Sequence, residues 1–330
     1  MTRTSYEIVA TLGPGSRAAS LWTALMDAGA TAFRLNTSHL SESQLQTWLT
    51  ELEPILAAHP TVPLVLDLQG SKWRLGEFAT GTLEAGQPIE FVCAPTSDRP
   101  GVLPVPHLDF FQAAEVSSRE IVLNDARVIV WREAQTTDRL RARVIRGGEL
   151  SAHKGITYAA SEYRQETLSA KDRAIFEHTQ HLPGVRYALS YVRDAAEMSK
   201  YRAHFGSTAY LIAKLERGPA MAEAAQIATS ADELWVCRGD LGAELGLRGM
   251  AIAVRDLAPL IPALPIPALM AGQVLEHMTA QPTPTRSEVC HLWDVINAGY
   301  RGVVLSDETA IGQQPIESVR IAALFRESTQ

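Results

Sequence analysis

The sequence predicts an α/β protein built on a (β/α)8 barrel, with a small all-β domain inserted after the third strand. Three observations lead to this prediction. Strand-like apolar runs alternate with amphipathic segments, several of these runs end abruptly in charged residues, and one long interval breaks the alternation. Alternating strands and helices favour a parallel sheet, and charge at the ends of its strands is typical of the active-site face of a barrel.

The apolar runs have the length and composition of buried parallel strands. The predicted strands are Glu7–Leu12, Ala32–Leu35, Pro63–Leu68, Arg186–Val192, Tyr210–Leu215, Glu233–Cys237, Ile266–Met270 and Gly302–Leu305. The segments between them have the apolar spacing of helices, and Ser41 is suited to cap the helix predicted over 41–58. This series supplies every strand that a closed (β/α)8 barrel requires.

The interval from residue 72 to residue 154 has a different pattern. It contains short alternating runs separated by Gly, Pro and Asp, which indicate a compact β domain. We therefore assign residues 1–71 and 155–330 to the barrel. Residues 72–154 are assigned to an inserted domain that resembles a small β-barrel.

Composition restricts the function classes. A chain of 330 residues accommodates one barrel and one small domain. Its net charge of -7 argues against nucleic acid or an anionic membrane as the main partner. The sequence has no apolar run of membrane-spanning length and no signal-peptide pattern, and its three cysteines have unrelated spacings. We expect a soluble, cytoplasmic protein that acts on small molecules and has no disulfides.

Two neighbouring strands end in the residues with the strongest chemical signal. The fifth predicted strand leads to Lys214 and Glu216, and the sixth leads to Arg238, Gly239 and Asp240. Carboxylates are hard oxygen ligands, so Glu216 and Asp240 are candidate ligands for Mg²⁺ or Mn²⁺. The ammonium of Lys214 can stabilise negative charge on an enolate or a transferring phosphoryl group. A simple ion pair at the barrel rim is the alternative explanation.

These motifs resemble those of the pyruvate kinase family, and the resemblance covers nearly the whole chain in order. EIVATLGPGSR, FRLNTSH and LVLDLQGSKWR resemble its first three strands, and GGELSAHKG resembles the return from its lid domain. The lysine-x-glutamate and arginine-glycine-aspartate motifs follow, then PTPTRSEV and VVLSDETAIGQQP. The resemblance implies a Mg²⁺-dependent phosphotransferase that acts between phosphoenolpyruvate, or a related enol phosphate, and ADP or ATP.

The resemblance also implies roles for individual residues. Lys214 and Arg34 would contact the phosphoryl group, and Ser306 would orient a water that delivers the enol proton. Backbone N–H groups of Gly239 and Asp240 would hold the substrate carboxylate at the start of a helix. The inserted domain would close over the nucleotide, and the candidate nucleotide-binding residues are His39, Arg74, His153 and Lys154. Exposed basic residues are commonly just solvated, which is the alternative for these four.

Asn36, Ser38 and Asp67 match positions that hold a monovalent cation in many members of this family. The residues that follow are typical of its potassium-independent branch, namely Leu68, Gln69, Lys72 and Leu75. The ammonium of Lys72 can supply the charge that K⁺ would otherwise provide. The implied cofactors are therefore Mg²⁺ (or Mn²⁺) and ADP or ATP, with no requirement for K⁺.

The seventh and eighth strand ends depart from the family pattern. Gly272 stands where the family usually has a substrate-contacting threonine, and Asp307 stands where it has a glycine. We include both among the candidate substrate-binding residues, because the lost side chain leaves room for a larger C3 substituent and Asp307 adds negative charge. Alternatively, glycine simply permits close backbone packing at the barrel mouth. The physiological substrate stays open.

Two other function classes also stay open. A metal-dependent lyase or aldolase that acts on a 2-oxo acid enolate would use a similar barrel site. A non-catalytic sensor of nucleotide or phosphoenolpyruvate would retain only part of it. Because the sequence ends after the eighth predicted helix, we expect no C-terminal effector domain of the family's kind. A homodimer formed through barrel helices and a monomer both fit the sequence.

If Lys72 replaces the monovalent cation, exchanging K⁺ for a bulky organic cation will leave the phosphotransferase rate unchanged. The measurement is the steady-state rate at constant ionic strength in the two salts. Strong activation by K⁺ would contradict this prediction.

Overall fold

The computed structural model describes residues 6–70, 72–124, 126–159 and 168–326. Residue 71, the predicted last residue of the first barrel segment, lies outside the described residues. The strands are β1 (Glu7–Thr11), β2 (Ala32–Asn36), β3 (Leu64–Leu68), β4 (Gly81–Leu83), β5 (Pro88–Val92), β6 (Val102–Pro104), β7 (Glu120–Leu123), β8 (Val128–Gln135), β9 (Arg139–Arg146), β10 (Gly148–Leu150), β11 (Ile156–Tyr158), β12 (Val185–Leu189), β13 (Tyr210–Leu215), β14 (Glu233–Cys237), β15 (Ala268–Ala271) and β16 (Gly302–Leu305).

The α-helices follow the same order along the chain. They are α1 (Ala19–Ala28), α2 (Glu42–Ala58), α3 (Leu108–Ala113), α4 (Ala170–Thr179), α5 (Ala195–Phe205), α6 (Gly218–Ala222), α7 (Ala224–Ile227), α8 (Arg238–Leu257), α9 (Arg286–Asn297), α10 (Asp307–Ala310) and α11 (Pro315–Ala322). Helix α8 has a kink at Gly246, where φ is 70°. The chain divides into two compact units. The barrel unit comprises Met1–Gln69, Ala170–Arg238 and Ala253–Gln330, and the insert unit comprises Gly70–Ser169 and Gly239–Ile252.

The barrel unit contains a closed, all-parallel barrel. Its strand order is β1-β16-β15-β14-β13-β12-β3-β2. The predicted (β/α)8 barrel is therefore confirmed, and each of its predicted strands is present. The largest difference is at the fourth barrel strand: the sequence predicts an end at Val192, and the strand ends at Leu189.

Apolar side chains fill the inside of the barrel and fix the direction of the residues that follow them. Every strand contributes to this interior cluster, which consists of Val9, Ala32, Val65, Ala188, Ile212, Trp235, Cys237, Leu269, Ala271 and Val304. Side chains alternate between the two faces of a strand, so the residue two positions later lies on the same face. At the carboxyl end of each strand, that residue lies at the mouth of the barrel.

Reciprocal side-chain caps lie at the starts of α2 and α9. As predicted, Ser41 caps α2: its Oγ accepts from the Gln44 N–H at 3.2 Å, and Gln44 Oε1 accepts from the Ser41 N–H at 2.8 Å. Thr285 and Glu288 form the same reciprocal arrangement at the start of α9. Such pairs satisfy backbone donors that the first helical turn leaves without intrahelical partners.

The insert unit consists of a six-stranded sheet of order β11-β7-β8-β9-β5-β6 and a two-stranded sheet that pairs β10 with β4. Aromatic rings form the centre of its core. Phe110 and Tyr158 are stacked with centroids 4.9 Å apart, and Trp73 lies edge-on to both rings. Strand β11 pairs with β7, so this sheet continues past residue 154, where the sequence-based domain boundary was placed.

Two further observations concern the whole described chain. Among the described residues, no helix has both the length and the apolar character of a membrane span. The three cysteines are free thiols: Cys237 is buried, Cys93 is partly buried and Cys290 is exposed.

A buried charged cluster lies at the amino ends of the barrel strands. Glu233 is fully buried and accepts hydrogen bonds from Trp235 Nε1 and, at 3.0 Å, from the Tyr210 hydroxyl. Arg186 Nη1 lies 2.7 Å from Glu7 Oε1 and 3.4 Å from Glu233 Oε2, so one cation serves two carboxylates. Burial and the nearby charge of Glu7 raise the pKa of Glu233 to about 8, although Arg186 opposes this shift.

This raised pKa predicts a pH dependence of stability. Because the folded state holds the Glu233 proton more tightly than the unfolded chain, the contribution is favourable at low pH and is lost as the pH rises toward about 8. Glu233→Gln mimics the protonated form. We therefore expect the melting temperature of Glu233→Gln, relative to that of the wild type, to increase as the pH rises from 5.5 to 8.5.

The measurement is thermal unfolding followed by circular dichroism at several pH values. Glu53→Gln changes an exposed glutamate of α2 and serves as the matched control. Parallel pH curves for Glu233→Gln and the wild type would contradict the prediction.

Candidate active site

Polar side chains occupy the mouth of the barrel because they follow the interior cluster by two residues. Ala32 is succeeded in this way by Arg34, and Ile212 by Lys214. Polar residues with this relation to the interior cluster include Thr11, Arg34, Asp67, Ser190, Lys214 and Ser306. The closed barrel thereby brings together residues that are far apart in the sequence.

Asp67, at the carboxyl end of β3, binds two cations. Its Oδ2 lies 2.7 Å from Arg34 Nε and 2.6 Å from Arg34 Nη2, and both of its oxygens lie 3.2 Å from Lys214 Nζ. The residue is only 1% exposed. Burial alone would raise the pKa of Asp67, but Lys214 and Arg34 together outweigh burial and hold the pKa below its usual value. Asp67 is therefore a stable anion between two cations.

Lys214 is buried and held in place from three directions. Besides Asp67, its Nζ lies 3.0 Å from Glu216 Oε1 and 3.0 Å from Ser190 Oγ. Burial disfavours the ammonium ion, but the carboxylates of Asp67 and Glu216 raise the pKa of Lys214 above its ordinary value. Lys214 is therefore charged and positioned before any ligand binds.

Glu216 has a second contact that fixes the orientation of its carboxylate. Its Oε2 accepts the backbone N–H of Tyr191 at 2.7 Å. Tyr191 is a buried residue with a left-handed backbone, at φ 61°. This uncommon conformation directs a main-chain donor at the carboxylate, which is a form of local strain that is concentrated at functional sites.

Arg34 is anchored on two sides. Besides its contacts with Asp67, its Nη1 donates to Thr11 Oγ1 at 2.8 Å, and Thr11 Oγ1 donates to the Leu305 carbonyl at 2.7 Å. Among the described residues, these contacts use three of the five N–H donors of the guanidinium, and the other two could bind a phosphate oxygen.

The four charged groups balance one another. Arg34 and Lys214 carry two positive charges, while Asp67 and Glu216 carry two negative charges. A divalent cation entering beside Glu216 would add positive charge, which an anionic substrate would then balance. Within the described ranges no group of three or more His, Cys, Asp or Glu side chains is placed to hold a metal ion.

Asn36, Ser38 and Asp67 are the residues predicted to hold a monovalent cation. In the structure, Asn36 and Asp67 contact other protein groups. Asn36 Oδ1 accepts the Ser38 N–H at 3.3 Å, and the Asp67 carboxylate binds Arg34, Lys214 and Ser190. The charge of Asp67 is therefore matched by protein cations.

The end of the seventh barrel strand has an unusual backbone. Gly272 and Gln273 are both left-handed, with φ of 80° and 54°. A side chain at position 272 would cost about 1 kcal/mol in this conformation, so the backbone itself favours glycine. At the eighth strand end, Ser306 is partly buried and Asp307 is exposed. The left-handed backbone is thus a second reason for glycine at position 272, in addition to room for a larger substrate.

In the insert unit, Lys72 forms an ion pair with Asp240. Only 9% of the Lys72 side chain and 15% of the Asp240 side chain are exposed. Gly155 allows Lys72 to adopt this position, because a Cβ at residue 155 would lie 2.6 Å from Lys72 Cε. The predicted potassium substitute and one predicted metal ligand are therefore partners.

Three of the four predicted nucleotide-binding residues come together in the insert unit. Arg74 Nη1 donates to the His153 carbonyl at 2.8 Å, and Lys154 is the next residue along the chain. His153 is left-handed, at φ 63°, and its Nε2 lies 2.7 Å from Glu77 Oε1. Arg74 Nε is buried and has no partner among the described residues. His39, the fourth residue, belongs to the barrel unit and is exposed.

Thr11 and Ser190 are absent from the sequence-predicted set. Ser190 donates to the Leu68 carbonyl at 2.7 Å and accepts from Lys214, so it links β3 to the lysine. A sequence signal does exist for both residues. Each stands two positions after a small or branched apolar residue of a predicted strand, as Arg34 and Lys214 do.

The closed parallel barrel, with charged residues at the carboxyl ends of its strands, is the architecture of a (β/α)8-barrel enzyme. The family model described as "Pyruvate kinase, barrel domain" matches residues 2–319. The chain therefore belongs to the pyruvate kinase family, and it is an enzyme of the pyruvate kinase type, a phosphotransferase.

Individual relatives agree with this assignment. A pyruvate kinase of Agrobacterium vitis is 33% identical over 98% of this chain and 68% of its own length. Pyruvate kinase 2 of Synechocystis is 32% identical over 97% of this chain and 56% of its own length. The crystal structure of a pyruvate kinase from Cryptosporidium parvum has a TM-score of 0.84 and 22% identity, and the match covers 99% of this chain and 70% of that chain. This last likeness supports the fold.

The charge balance at Asp67 predicts a large stability effect. Asp67→Asn leaves Lys214 and Arg34 with too little negative charge in a buried site, so we expect the free energy of unfolding to fall by about 3–5 kcal/mol. Adding Lys214→Met should restore part of this loss, since it removes one of the unbalanced cations. Urea denaturation at pH 7 measures both effects.

Asp98→Asn changes an exposed aspartate and is the matched control. A loss in Asp67→Asn no greater than that in the control would contradict the prediction, as would strictly additive effects in the double variant.

Proposed function

We propose that this protein transfers the phosphoryl group of phosphoenolpyruvate to ADP in the presence of Mg²⁺ and forms pyruvate and ATP. The observation that carries the proposal is the position of Lys214, whose charged Nζ is held by Asp67, Glu216 and Ser190 beside Arg34. Membership of the pyruvate kinase family supports the same reaction.

In the phosphoryl step, an oxygen of the ADP β-phosphate attacks phosphorus and the bond between phosphorus and the enol oxygen breaks. Negative charge then develops on the enol oxygen and is spread over the phosphoryl oxygens. Lys214 stabilises the enolate charge, and the two remaining N–H groups of Arg34 bind the phosphoryl oxygens. Asp67 and Thr11 keep Arg34 aligned during this step.

Glu216 is the best-supported metal ligand. Its oxygens accept contacts from Lys214 and from the Tyr191 N–H, which hold the carboxylate at the mouth of the barrel, and carboxylate oxygens are the ligands that Mg²⁺ prefers. Asp240 is proposed as a second ligand from its sequence motif, and its pairing with Lys72 gives it a defined rotamer. When bound, Mg²⁺ would act as a Lewis acid toward phosphoryl and enolate oxygens.

Substrate orientation and the final proton transfer are assigned to three elements. The N–H groups of Gly239 and Asp240 lie in the first turn of α8, and backbone donors at the start of a helix suit a substrate carboxylate. Ser306 has its backbone N–H fixed by Glu308 at 2.6 Å. Its hydroxyl would orient the water that protonates C3 of the enolate and completes pyruvate. Gly272 and Asp307 would border the C3 end of the substrate.

The remaining basic residues are assigned to nucleotide binding, and the contacts of Asp67 bear on the need for K⁺. Arg74, whose buried Nε has no partner within the described ranges, and Lys154 would contact nucleotide phosphates, with His39 and His153 as further contacts. Because Asp67 is already balanced by Arg34 and Lys214, K⁺ is not needed to neutralise it. The proposed partners are small molecules of the cytoplasm.

The test is ATP formation by purified protein with Mg²⁺, ADP and phosphoenolpyruvate in the absence of K⁺. Lys214→Met should reduce the rate by at least 100-fold, in the range expected when a preorganised charge-stabilising group is removed. Lys200→Met changes an exposed lysine of α5 and should retain the wild-type rate. If no ATP forms although ADP and Mg²⁺ bind, phosphoenolpyruvate is not the substrate.

A further inference from the structure

The turn that follows β15 is held by side chains from neighbouring elements. Gly272 and Gln273 are consecutive left-handed residues, which places their carbonyl oxygens outside any regular ladder. Arg238 binds both carbonyls: its Nε and Nη2 lie 3.0 Å and 2.7 Å from the Gly272 oxygen, and its Nη2 lies 2.8 Å from the Gln273 oxygen. One guanidinium thus satisfies two carbonyls of an irregular segment.

Glu308 holds the other end of the same turn. Its Oε1 accepts the Leu275 N–H at 2.9 Å, and its Oε2 accepts the Ser306 N–H at 2.6 Å. Glu308 is fully buried. The turn is therefore fixed by an arginine that binds its carbonyls and a glutamate that binds its amide, and the glutamate also fixes Ser306.

His291, on α9, completes the support of Arg238. Its Nε2 lies 2.7 Å from Arg238 Nη1. A guanidinium has only donors, so His291 must accept at Nε2 and must be neutral, with its proton on Nδ1. Protonation would remove the acceptor and place a second positive charge beside the arginine.

Nearby charged groups have opposing effects on the pKa values of His291 and Arg238. Burial and Arg238 lower the pKa of His291, and Asp294 on the same helix opposes them. Burial lowers the pKa of Arg238, while Glu308 and Tyr300 oppose that shift. The contact between Arg238 and His291 is therefore complete when the imidazole is neutral and is lost as the pH falls through the lowered histidine pKa.

We propose that Arg238 is a positioning residue that holds the Gly272–Gln273 turn in its substrate-binding geometry, with neutral His291 as its support. The inference rests on the proposed function, because Gly272 is assigned there to the C3 end of the substrate. Lysine at position 238 keeps the positive charge but cannot reach two carbonyls and an imidazole with one rigid fork.

The test compares Arg238→Lys, His291→Gln and the wild type by KM for phosphoenolpyruvate and kcat across pH 5.5–8.5. We expect Arg238→Lys to raise KM at least 10-fold at pH 8. Glutamine retains a neutral acceptor that does not titrate, so His291→Gln should keep the wild-type KM at pH 8. Below the ordinary histidine pKa, about 6.5, the KM of the wild type should rise more steeply than that of His291→Gln. Arg255→Lys, an exposed change in α8, is the matched control.

Hydrogen–deuterium exchange of the Val274 and Leu275 amides, measured without substrate, separates this inference from the proposed function. Faster exchange in Arg238→Lys together with a raised KM supports the positioning role. An unchanged KM in an active enzyme overturns it. If the wild type makes no ATP, the proposed function fails, and the exchange result alone decides: faster exchange in the variant supports the hold on the turn, and unchanged exchange overturns it.

Discussion

The candidate active site depends on one buried interaction, the contact of Asp67 with Arg34 and Lys214. A carboxylate that is 1% exposed would be costly in isolation, and so would two buried cations. Together with Glu216 they form a balanced set in which each charge has an opposite neighbour within hydrogen-bonding distance. This balance holds Lys214 and Arg34 in position without a ligand, which is the condition for electrostatic stabilisation of a transition state.

The sequence predicts the barrel and most of this cluster because both follow from the period of two along a strand. Arg34, Asp67 and Lys214 are charged residues at the ends of apolar runs, which makes them conspicuous. Thr11 and Ser190 obey the same spacing but are neutral, and hydroxyl residues at strand ends are too common to be distinguished. The sequence also does not predict every backbone conformation. No residue pattern around Gly272 indicates that Gln273 has a left-handed backbone as well.

Long-range pairing is the other part that the sequence does not reveal. Lys72 and Asp240 are separated by 168 positions, and each has a separate expected role when it is considered alone. Their contact links these roles, because the lysine that is predicted to stand in for a monovalent cation also pairs with a candidate metal ligand. Gly155 is a further example, since its lack of a side chain matters only because Lys72 passes beside it.

One face of strand β13 connects the charged cluster at the amino ends of the strands with the candidate active site at their carboxyl ends. Along β13, Tyr210 hydrogen-bonds to the buried Glu233 at the amino end, Ile212 lies in the interior cluster, and Lys214 reaches the active-site cluster. Four residues of strand span about 13 Å, and the layer between is apolar. The amino-end cluster has one arginine for two glutamates and is sensitive to pH, whereas the carboxyl-end cluster is balanced. The apolar layer therefore keeps a titrating group away from Lys214, whose charge the proposed reaction requires.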